Sequence, residues 1–332
     1  MTPFTRAFTK TPMRRVLFPG RTERRLSLAK HPRCGALRVI VFVLQLVVAG
    51  LTVGSAYALV ALGYHVILRA TRAINFSQGE FVVLGGLVAY TIVHVLHASP
   101  WIGLIGATAA GFALGWVYER IVLRPAARNG DIAVIIATIG CVYILLYGHA
   151  LIWGSLPQPL APFTGAQGQA IHPGGVAIQE QSLWVFALLA LAFAALWLLF
   201  DRTTFGKAIR AAAVNPVGAQ LVGIDVNAAR AASVGIAIAL AAFGGTLIGP
   251  ITLVGGTAGI AIAIKGFVGA VAGGLDSPMG CAVGGLAVGV IEKLLAGWLP
   301  YQAVDPVVYA LLLLVLIVRP QGLFGRKDAV RD

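Results

Sequence analysis

The sequence predicts an all-α polytopic membrane protein, a bundle of about 8–10 transmembrane helices with broken or re-entrant segments. Hydrophobic residues make up 58% of the 332 residues, charged residues only 11%, and the mean hydropathy is +0.88. Soluble domains are roughly 45–50% apolar and about 25% charged, so this composition indicates a lipid environment. Stretches such as 182–200 and 303–318 are almost free of charge, and a spanning helix needs about 20 apolar residues.

The predicted helices and the basic loops between them follow one another along the chain. Apolar segments run over 39–68, 79–97, 100–118, 132–153, 182–200, 231–250, 258–275, 278–298 and 303–318. Lys and Arg are concentrated in 1–38, 119–131, 201–230 and 319–332, whereas 154–181 contains neither. Because positive charge marks cytoplasmic loops, we expect both termini to be cytoplasmic and 154–181 to lie outside.

The number of membrane crossings before the loop at 119–131 depends on segment 39–68. Three apolar segments precede the basic loop at 119–131, which is an odd number between two regions expected on the same side. Segment 39–68 is long for one span and short for two, and Gly50 and Gly54 lie in its middle. We therefore expect a broken or re-entrant pair in this segment.

The predicted organisation has three parts. Residues 1–38 form a basic cytoplasmic arm that is suited to lying on anionic membrane lipid. Residues 39–318 form the transmembrane domain, which includes a cytoplasmic loop at 201–230. Residues 319–332 form a cytoplasmic tail. A multi-pass chain of this kind is expected in a bacterial inner membrane.

Small residues spaced four apart predict close helix packing. Such a spacing lets helix backbones approach where lipid removes the hydrophobic drive for association. The stretches 254–259 and 272–280 are rich in glycine and irregular, and such backbone must be buried in protein or line a cavity. These features are typical of a transporter or a channel. The GxxxG pairs are Gly50/Gly54, Gly111/Gly115, Gly245/Gly249, Gly269/Gly273, Gly280/Gly284 and Gly285/Gly289.

Several function classes find no support in the residues. The histidines show neither HExxH nor a paired metal spacing, so we expect no catalytic residues and no metal site. Gly206-Lys207 is followed by Ala208, which breaks the P-loop pattern, and the chain is not expected to bind ATP or another cofactor itself. Nucleic-acid binding is also disfavoured, because the basic residues flank apolar segments and do not cover one face.

The loop at 201–230 has a helical pattern of its own. Residues 206–213 and 217–223 are rich in small residues, and Asn215-Pro216 between them is a helix start signal. A short helix over about 216–222 would present Val217, Leu221 and Val222 on one side. This pattern fits either docking into a partner's groove or a surface loop that closes the bundle.

Polar residues within apolar sequence are the candidates for a translocation path or gate. Lys265 lies inside an apolar segment, and Glu80 is the partner that we expect for it. Tyr57 and Tyr64 are seven residues apart and share a helix face, which fits a passage or core packing. Glu292 is expected at the membrane interface, and Asp305 is expected as a helix N-cap.

The stretch INFSQGEF (74–81) holds the densest group of these residues. Ser77 and Glu80 have the spacing of a capping box at the start of a helix. Asn75 and Gln78 are not needed for such a cap, so we expect them to face the passage or a gate.

Further stretches carry a family resemblance. They are GLTVGSAYALVALGYHVI (50–67), INFSQGEF (74–81), GKAIRAAAVNPVGAQLVGID (206–225), IKGFVGAVAGGLDSPMGCAVGGLAVGVIE (264–292) and RPQGLFGR (319–326). In this order they resemble the LivH-type permeases of branched-chain amino-acid ABC transporters, over most of the chain from about Gly50 onward. The resemblance implies an all-α permease subunit without an enzymatic activity of its own, which works by alternating access.

The resemblance also implies partners. They are a second related permease subunit, cytoplasmic ATP-binding subunits that bind the ATP, and an extracytoplasmic solute-binding protein. The loop at 206–225 resembles the region that couples such permeases to their ATPases. The residues expected to couple are Arg210, Ala212, Asn215, Pro216, Gly218, Leu221 and Gly223.

Some residues depart from the family pattern. Leu68-Arg69 stands where the family usually has Tyr-Gly, and Asp276 replaces a usual glycine. The resemblance therefore implies branched-chain or related neutral amino acids as substrates, with amides or urea also carried in the wider family. The alternative is an ATP-independent secondary transporter or channel for small amides or urea, for which Glu80 is the intramembrane acid.

Overall fold

The computed structural model describes residues 32–71, 74–164, 170–172, 176–319 and 322–324. Residues 1–31 of the basic arm and most of the tail lie outside these ranges, so those two predictions stay untested. The α-helices are α1 (Pro32–Thr71), α2 (Gln78–Tyr90), α3 (Pro100–Tyr118), α4 (Arg124–Ala127), α5 (Asp131–Trp153), α6 (Glu180–Trp197), α7 (Thr204–Val214), α8 (Pro216–Leu221), α9 (Val226–Thr252), α10 (Ala258–Gly273), α11 (Pro278–Ala296) and α12 (Tyr301–Val318). Short π-helical turns continue α2, α3 and α6 over Thr91–Val95, Glu119–Leu123 and Leu198–Arg202.

The helices confirm the all-α polytopic fold. Among the described residues, seven helices are long and apolar enough to cross a membrane, and shorter apolar helices occupy Ala258–Gly273 and Gln302–Val315. Strands are limited there to the pair β1 (Ala170–Ile171) and β2 (Ile178–Gln179), which are antiparallel with Ala170 opposite Gln179.

Helix α1 runs unbroken through the segment where we expected a break. It is a single helix of 40 residues. A Cβ added to Gly50 would come within 2.6 Å of Val290 Cα, and one added to Gly54 within 2.8 Å of the Leu286 carbonyl oxygen, both in α11. The glycines therefore allow α1 and α11 to pack backbone against backbone, and this contact, not a break in the helix, explains their presence.

The unbroken helix places the two described ends of the chain at opposite ends of the bundle. Near the start of α1, the Phe42 ring lies 6.5 Å from that of Trp298, in the α11–α12 connection. Near the end of α1, Arg69 donates to a carbonyl in the turn after α10, and Leu323 N donates to Ala272 O beside that turn. The expectation that the chain enters α1 and leaves α12 on the same side is therefore wrong, because it assumed that α1 returns on itself.

Two names are useful for these ends. The Trp298 end contains the start of α1 and the α11–α12 connection. The α8 end contains the end of α1, α7, α8 and the start of α9, since α1 and α9 are antiparallel: added Cβ atoms at Gly244 and Gly63 would meet Leu59 and the Ala237 carbonyl. The long connection after α5 lies at the Trp298 end, because Gln158 pairs with Val254 just beyond α9.

Burial divides the helices into a core and a periphery. Helix α9 is the central element and packs against α1, α2 and α3. Of its apolar 18-residue stretch, 83% is buried inside the protein. In the corresponding apolar stretches of α5 and α6, only 17% and 11% is buried. These two helices therefore turn most of their apolar surface outward, as expected for contact with lipid or with another membrane subunit.

Candidate functional site

The polar stretch predicted as a gate lies inside the bundle, where the backbone leaves one helix and begins another. Asn75, Ser77, Gln78 and Glu80 are all 0–1% exposed. The Gln78 amide nitrogen donates to Ala237 O at 2.7 Å, in the middle of α9. Helix α2 therefore begins at half depth in the bundle, and the irregular residues before it are sheltered by protein, as backbone in a membrane requires.

The side chain of Ser77 does not form the predicted capping box. Its hydroxyl donates to Asn75 Oδ1 at 2.6 Å and lies 2.9 Å from the Tyr118 hydroxyl, and it makes no side-chain bond to the start of α2. Tyr118 also donates to Asn75 Oδ1, at 3.0 Å. The Ser77 hydroxyl is thus engaged by Asn75, whose buried amide oxygen accepts from both Ser77 and Tyr118.

Glu80 also differs from the expectation, since its carboxylate caps nothing. The carboxylate lies beside His149 of α5, with Nδ1 at 3.6 Å from Oε2. Both residues are buried, and a Cβ on Gly259 of α10 would collide with the carboxylate. His149 was not among the predicted site residues, because neither metal spacing nor a motif marks it.

Unpartnered polar atoms are concentrated in this region. Among the described residues, the buried side-chain nitrogens and oxygens without a hydrogen-bond partner are Asn75 Nδ2, Gln78 Oε1, both carboxylate oxygens of Glu80 and both ring nitrogens of His149. We call Asn75, Ser77, Gln78, Glu80, Tyr118 and His149 the α2 polar cluster. All members of the cluster are buried, and its role as a gate stays a prediction.

Lys265 lies in a second buried group and does not pair with Glu80. Its Nζ is 2.8 Å from Asp305 Oδ1 and 3.1 Å from Glu292 Oε2. Gly259, which faces Glu80, lies six residues before Lys265, and at 3.6 residues per turn these two positions of α10 point in different directions. The predicted Lys265–Glu80 pair is therefore wrong.

The positions of Glu292 and Asp305 show that two further expectations are wrong. Glu292 is buried, with its side chain 12% exposed, and its Oε2 accepts the Tyr57 hydroxyl at 2.8 Å, so it is not an interfacial residue. Asp305 lies within α12, which starts at Tyr301, and turns its carboxylate to Lys265, so it is not the N-cap. The buried ammonium explains both placements, because a charge in an apolar bundle has to be paired.

The tyrosines share a helix face, as expected. Tyr57 bonds to Glu292, and its ring centroid is 5.9 Å from Lys265 Nζ. Tyr64 donates to Ala263 O at 3.4 Å and packs edge-on against Phe267 at 5.4 Å. Both rings therefore face α10, and both are buried. We call Tyr57, Lys265, Glu292 and Asp305 the α10 charge cluster.

The α7–α8 hairpin confirms the predicted helical pattern at 206–222. Asn215 caps α8 by accepting Gly218 N at 2.9 Å, with Pro216 at the first helical position. Val217 and Leu221 are 68% and 83% exposed. The hairpin is thus a capped helical element that presents apolar side chains away from the bundle.

The other predicted coupling residues have different surroundings. Ala212 is buried and packs with Ile209, Ala219 and Val226, which ties the hairpin to the start of α9. Arg210 donates to Asp201 at 2.7 Å. Asn215, Pro216 and Gly223 are exposed, and Gly223 has a positive φ of 84° where the chain turns towards α9.

A helical bundle with sheltered irregular backbone and buried charges is the architecture of a membrane transport protein. The chain belongs to the family of permease components of branched-chain amino acid transport systems, whose model matches residues 46–318. This confirms the resemblance that the motifs indicated.

Relatives match over nearly their whole length. The chain is 31% identical over 300 residues to the high-affinity branched-chain amino acid transport system permease protein LivH of Escherichia coli (strain K12), covering 86% of this chain and 97% of that protein. It is 33% identical over 297 residues to the corresponding permease protein BraD of Pseudomonas aeruginosa, covering 86% and 96%. PsaBC from Streptococcus pneumoniae in complex with Fab aligns with a TM-score of 0.46 and 14% identity, covering 84% of this chain and 92% of that chain.

Proposed function

We propose that this permease is the membrane-spanning subunit of an ATP-driven importer for branched-chain or related neutral amino acids. Separate cytoplasmic subunits bind and hydrolyse the ATP, a second related permease completes the passage, and an extracytoplasmic solute-binding protein delivers the substrate. Family membership supports the class and the substrate. The observation that carries the coupling to ATPases is the capped α7–α8 hairpin with its exposed Val217 and Leu221.

The orientation is inferred from the basic residues of the loops at the α8 end, since residues 1–31 of the basic arm lie outside the described ranges. The loop between α3 and α5 contributes Arg120, Arg124 and Arg128, and the α7–α8 region contributes Lys207 and Arg210. Positive charge marks the cytoplasmic side. The α8 end therefore faces the ATPases, and the Trp298 end receives the substrate.

Motion at the hairpin has a contiguous route into the bundle. Ile209 and Ala219 pack against Val226 at the start of α9. Halfway along α9, Ala237 O holds the Gln78 amide at the start of α2. A tilt of the hairpin would thus move α9 against α2, where unpartnered polar groups leave the packing least constrained.

The test of coupling uses two exposed leucines at opposite ends. Leu221→Glu places a charge on α8, whereas Leu156→Glu places the same charge in the loop at the Trp298 end; the leucines are 83% and 78% exposed. In the complex reconstituted with its ATPases, permease partner and binding protein, we expect Leu221→Glu to lower stimulated ATPase activity and uptake at least about tenfold. Leu156→Glu should retain both, and undiminished activity of Leu221→Glu would contradict the assignment.

A second candidate function is supported by Glu80. A buried carboxylate without a donor, 3.6 Å from an imidazole, is the kind of group that a proton-coupled transporter uses. An ATP-independent transporter or channel for small amides or urea would continue uptake after the ATPase subunits are removed. The ATP-driven importer would stop.

A further inference from the structure

We infer that the α10 charge cluster binds the zwitterionic head of an amino-acid substrate, with Asp305 accepting hydrogen bonds from its ammonium group and Lys265 donating to its carboxylate. The inference rests on the proposed function, since it assigns residues to an amino-acid substrate. Lys265 was a sequence candidate for the path, but Asp305 and this division of roles come from the geometry.

The first argument is position. Glu292 lies four residues before the end of α11, and Asp305 lies four residues after the start of α12. Both therefore lie near the Trp298 end, where an importer receives its substrate. The side chain of Asp305 is 48% exposed, whereas those of Lys265 and Glu292 are 7% and 12% exposed. Asp305 is thus the partly exposed member of this group of charges, and Lys265 and Glu292 are the members that lie inside the bundle.

The second argument is the number of carboxylates. Glu292 lies 3.1 Å from Lys265 and is its buried partner, and it also accepts the Tyr57 hydroxyl and lies 3.8 Å from Lys293 Nζ. Glu292 therefore has partners for its charge and its lone pairs that do not include Asp305. Asp305 is a second carboxylate on the same ammonium group, 2.8 Å away and partly open to the surface. The Lys265–Asp305 contact can accordingly open while Lys265 keeps one buried partner.

The third argument is the chemistry of exchange. When the Lys265–Asp305 pair opens, it offers one cation and one anion at adjacent points. An amino acid brings the opposite charge to each, and a lysine ammonium has three donors, enough to hold Glu292 and a substrate carboxylate together. Net charge is unchanged and every buried charge stays paired, which avoids the cost of an unpaired ion. An uncharged amide, urea or sugar offers no such replacement.

The experiment measures equilibrium binding of radiolabelled leucine to the complete transporter without the binding protein, in nanodiscs. The probes are leucine, 3-methylbutylamine, which lacks the carboxylate, and 4-methylpentanoate, which lacks the ammonium group. We expect unlabelled leucine to displace the label at least about tenfold better than either analogue, because each analogue leaves one ion of the opened pair unpaired.

The variant is Asp305→Asn, with Asp276→Asn as the matched control at the other end of α10. Asp305→Asn leaves the Lys265–Glu292 pair intact, so the melting temperature should stay close to that of the unmodified complex. Its leucine affinity should fall about tenfold or more, while Asp276→Asn keeps the affinity. Unchanged binding by Asp305→Asn, or displacement by either analogue as effective as that by leucine, would overturn the inference.

A combined replacement separates recognition from folding. Lys265→Met with Glu292→Gln and Asp305→Leu removes the cation together with both of its carboxylates, and uncharged residues of similar volume often replace buried ion pairs without loss of stability. Persistent leucine binding by this triple variant would also overturn the inference. Failure of the proposed function would show differently: the unmodified complex would take up no amino acid, or would do so without its ATPases.

Discussion

The α10 charge cluster and the α2 polar cluster are both buried in the same bundle, yet they satisfy their polar groups in opposite ways. Lys265 has a carboxylate oxygen within 3.1 Å on two sides, and Glu292 accepts a hydroxyl. The α2 polar cluster instead contains the six buried atoms without a partner in the described part of the chain. Glu80, its one carboxylate, accepts no hydrogen bond.

This difference separates a stabilising cluster from a movable one. Four helices, α1, α10, α11 and α12, meet through the paired charges of the α10 charge cluster, and breaking a buried pair is costly. The α2 polar cluster bears the cost of unpaired polar groups at a break in the backbone, and such regions are the least stable parts of a fold. We therefore expect mutations that unpair a charge in the first cluster to cost more stability than mutations in the second cluster, which should also act on transport.

The largest expected effect comes from unpairing the carboxylates of the α10 charge cluster. Lys265→Met leaves Glu292 and Asp305 without their cation and should lower the free energy of unfolding by about 3–5 kcal/mol. Denaturation of the purified permease in detergent measures it. Lys207→Met, at an exposed lysine of α7, is the control and should change little. Equal stability of the two variants would remove the contrast between the clusters.

A smaller loss of stability is expected from Asn75→Ala. Asn75 Oδ1 accepts from both Ser77 and Tyr118, so its removal leaves two buried hydroxyls without this acceptor and should cost about 1–3 kcal/mol. Tyr118→Phe, which removes one donor and leaves the Ser77–Asn75 bond, serves as the milder comparison. Asn75→Ala should also reduce uptake, and intact uptake by both Asn75→Ala and Gln78→Ala would show that the gate prediction is wrong.

The smallest effect on stability is expected from Glu80→Gln. Because neither carboxylate oxygen accepts a hydrogen bond, the amide should change the free energy of unfolding by less than about 1 kcal/mol. Uptake should nevertheless fall if the gate requires an ionisable group next to His149. Melting temperature and uptake are measured on the same preparation. A marked fall in melting temperature would place Glu80 with the stabilising cluster.

Local signals made part of this molecule predictable. Asn215 followed by Pro216 predicted a capped helix, and the structure has that cap because it depends only on neighbouring residues. The polar residues of 74–81 likewise predicted that a helix begins there, and α2 begins at Gln78. Composition alone predicted the helical membrane fold.

Long-range choices were not predictable from local signals. The partner of Lys265 depends on which face of α10 meets α11 and α12. The residues near Lys265 in the sequence do not indicate which face that is. Gly50 and Gly54 have the same spacing whether a helix breaks or packs closely, so the break in α1 was predicted wrongly. Ser77 could cap α2 or donate to Asn75; its hydroxyl donates to Asn75 and lies beside Tyr118 of α3, a neighbour that is remote in sequence.

ATP-dependent uptake tests the central claim most directly. The chain is reconstituted in proteoliposomes with its permease partner and ATPase subunits, and radiolabelled leucine is supplied on its binding protein. The account predicts uptake that requires ATP and all of these subunits, and that is lost with Leu221→Glu but kept with Leu156→Glu. Leucine uptake by the permease without ATPase subunits would contradict it.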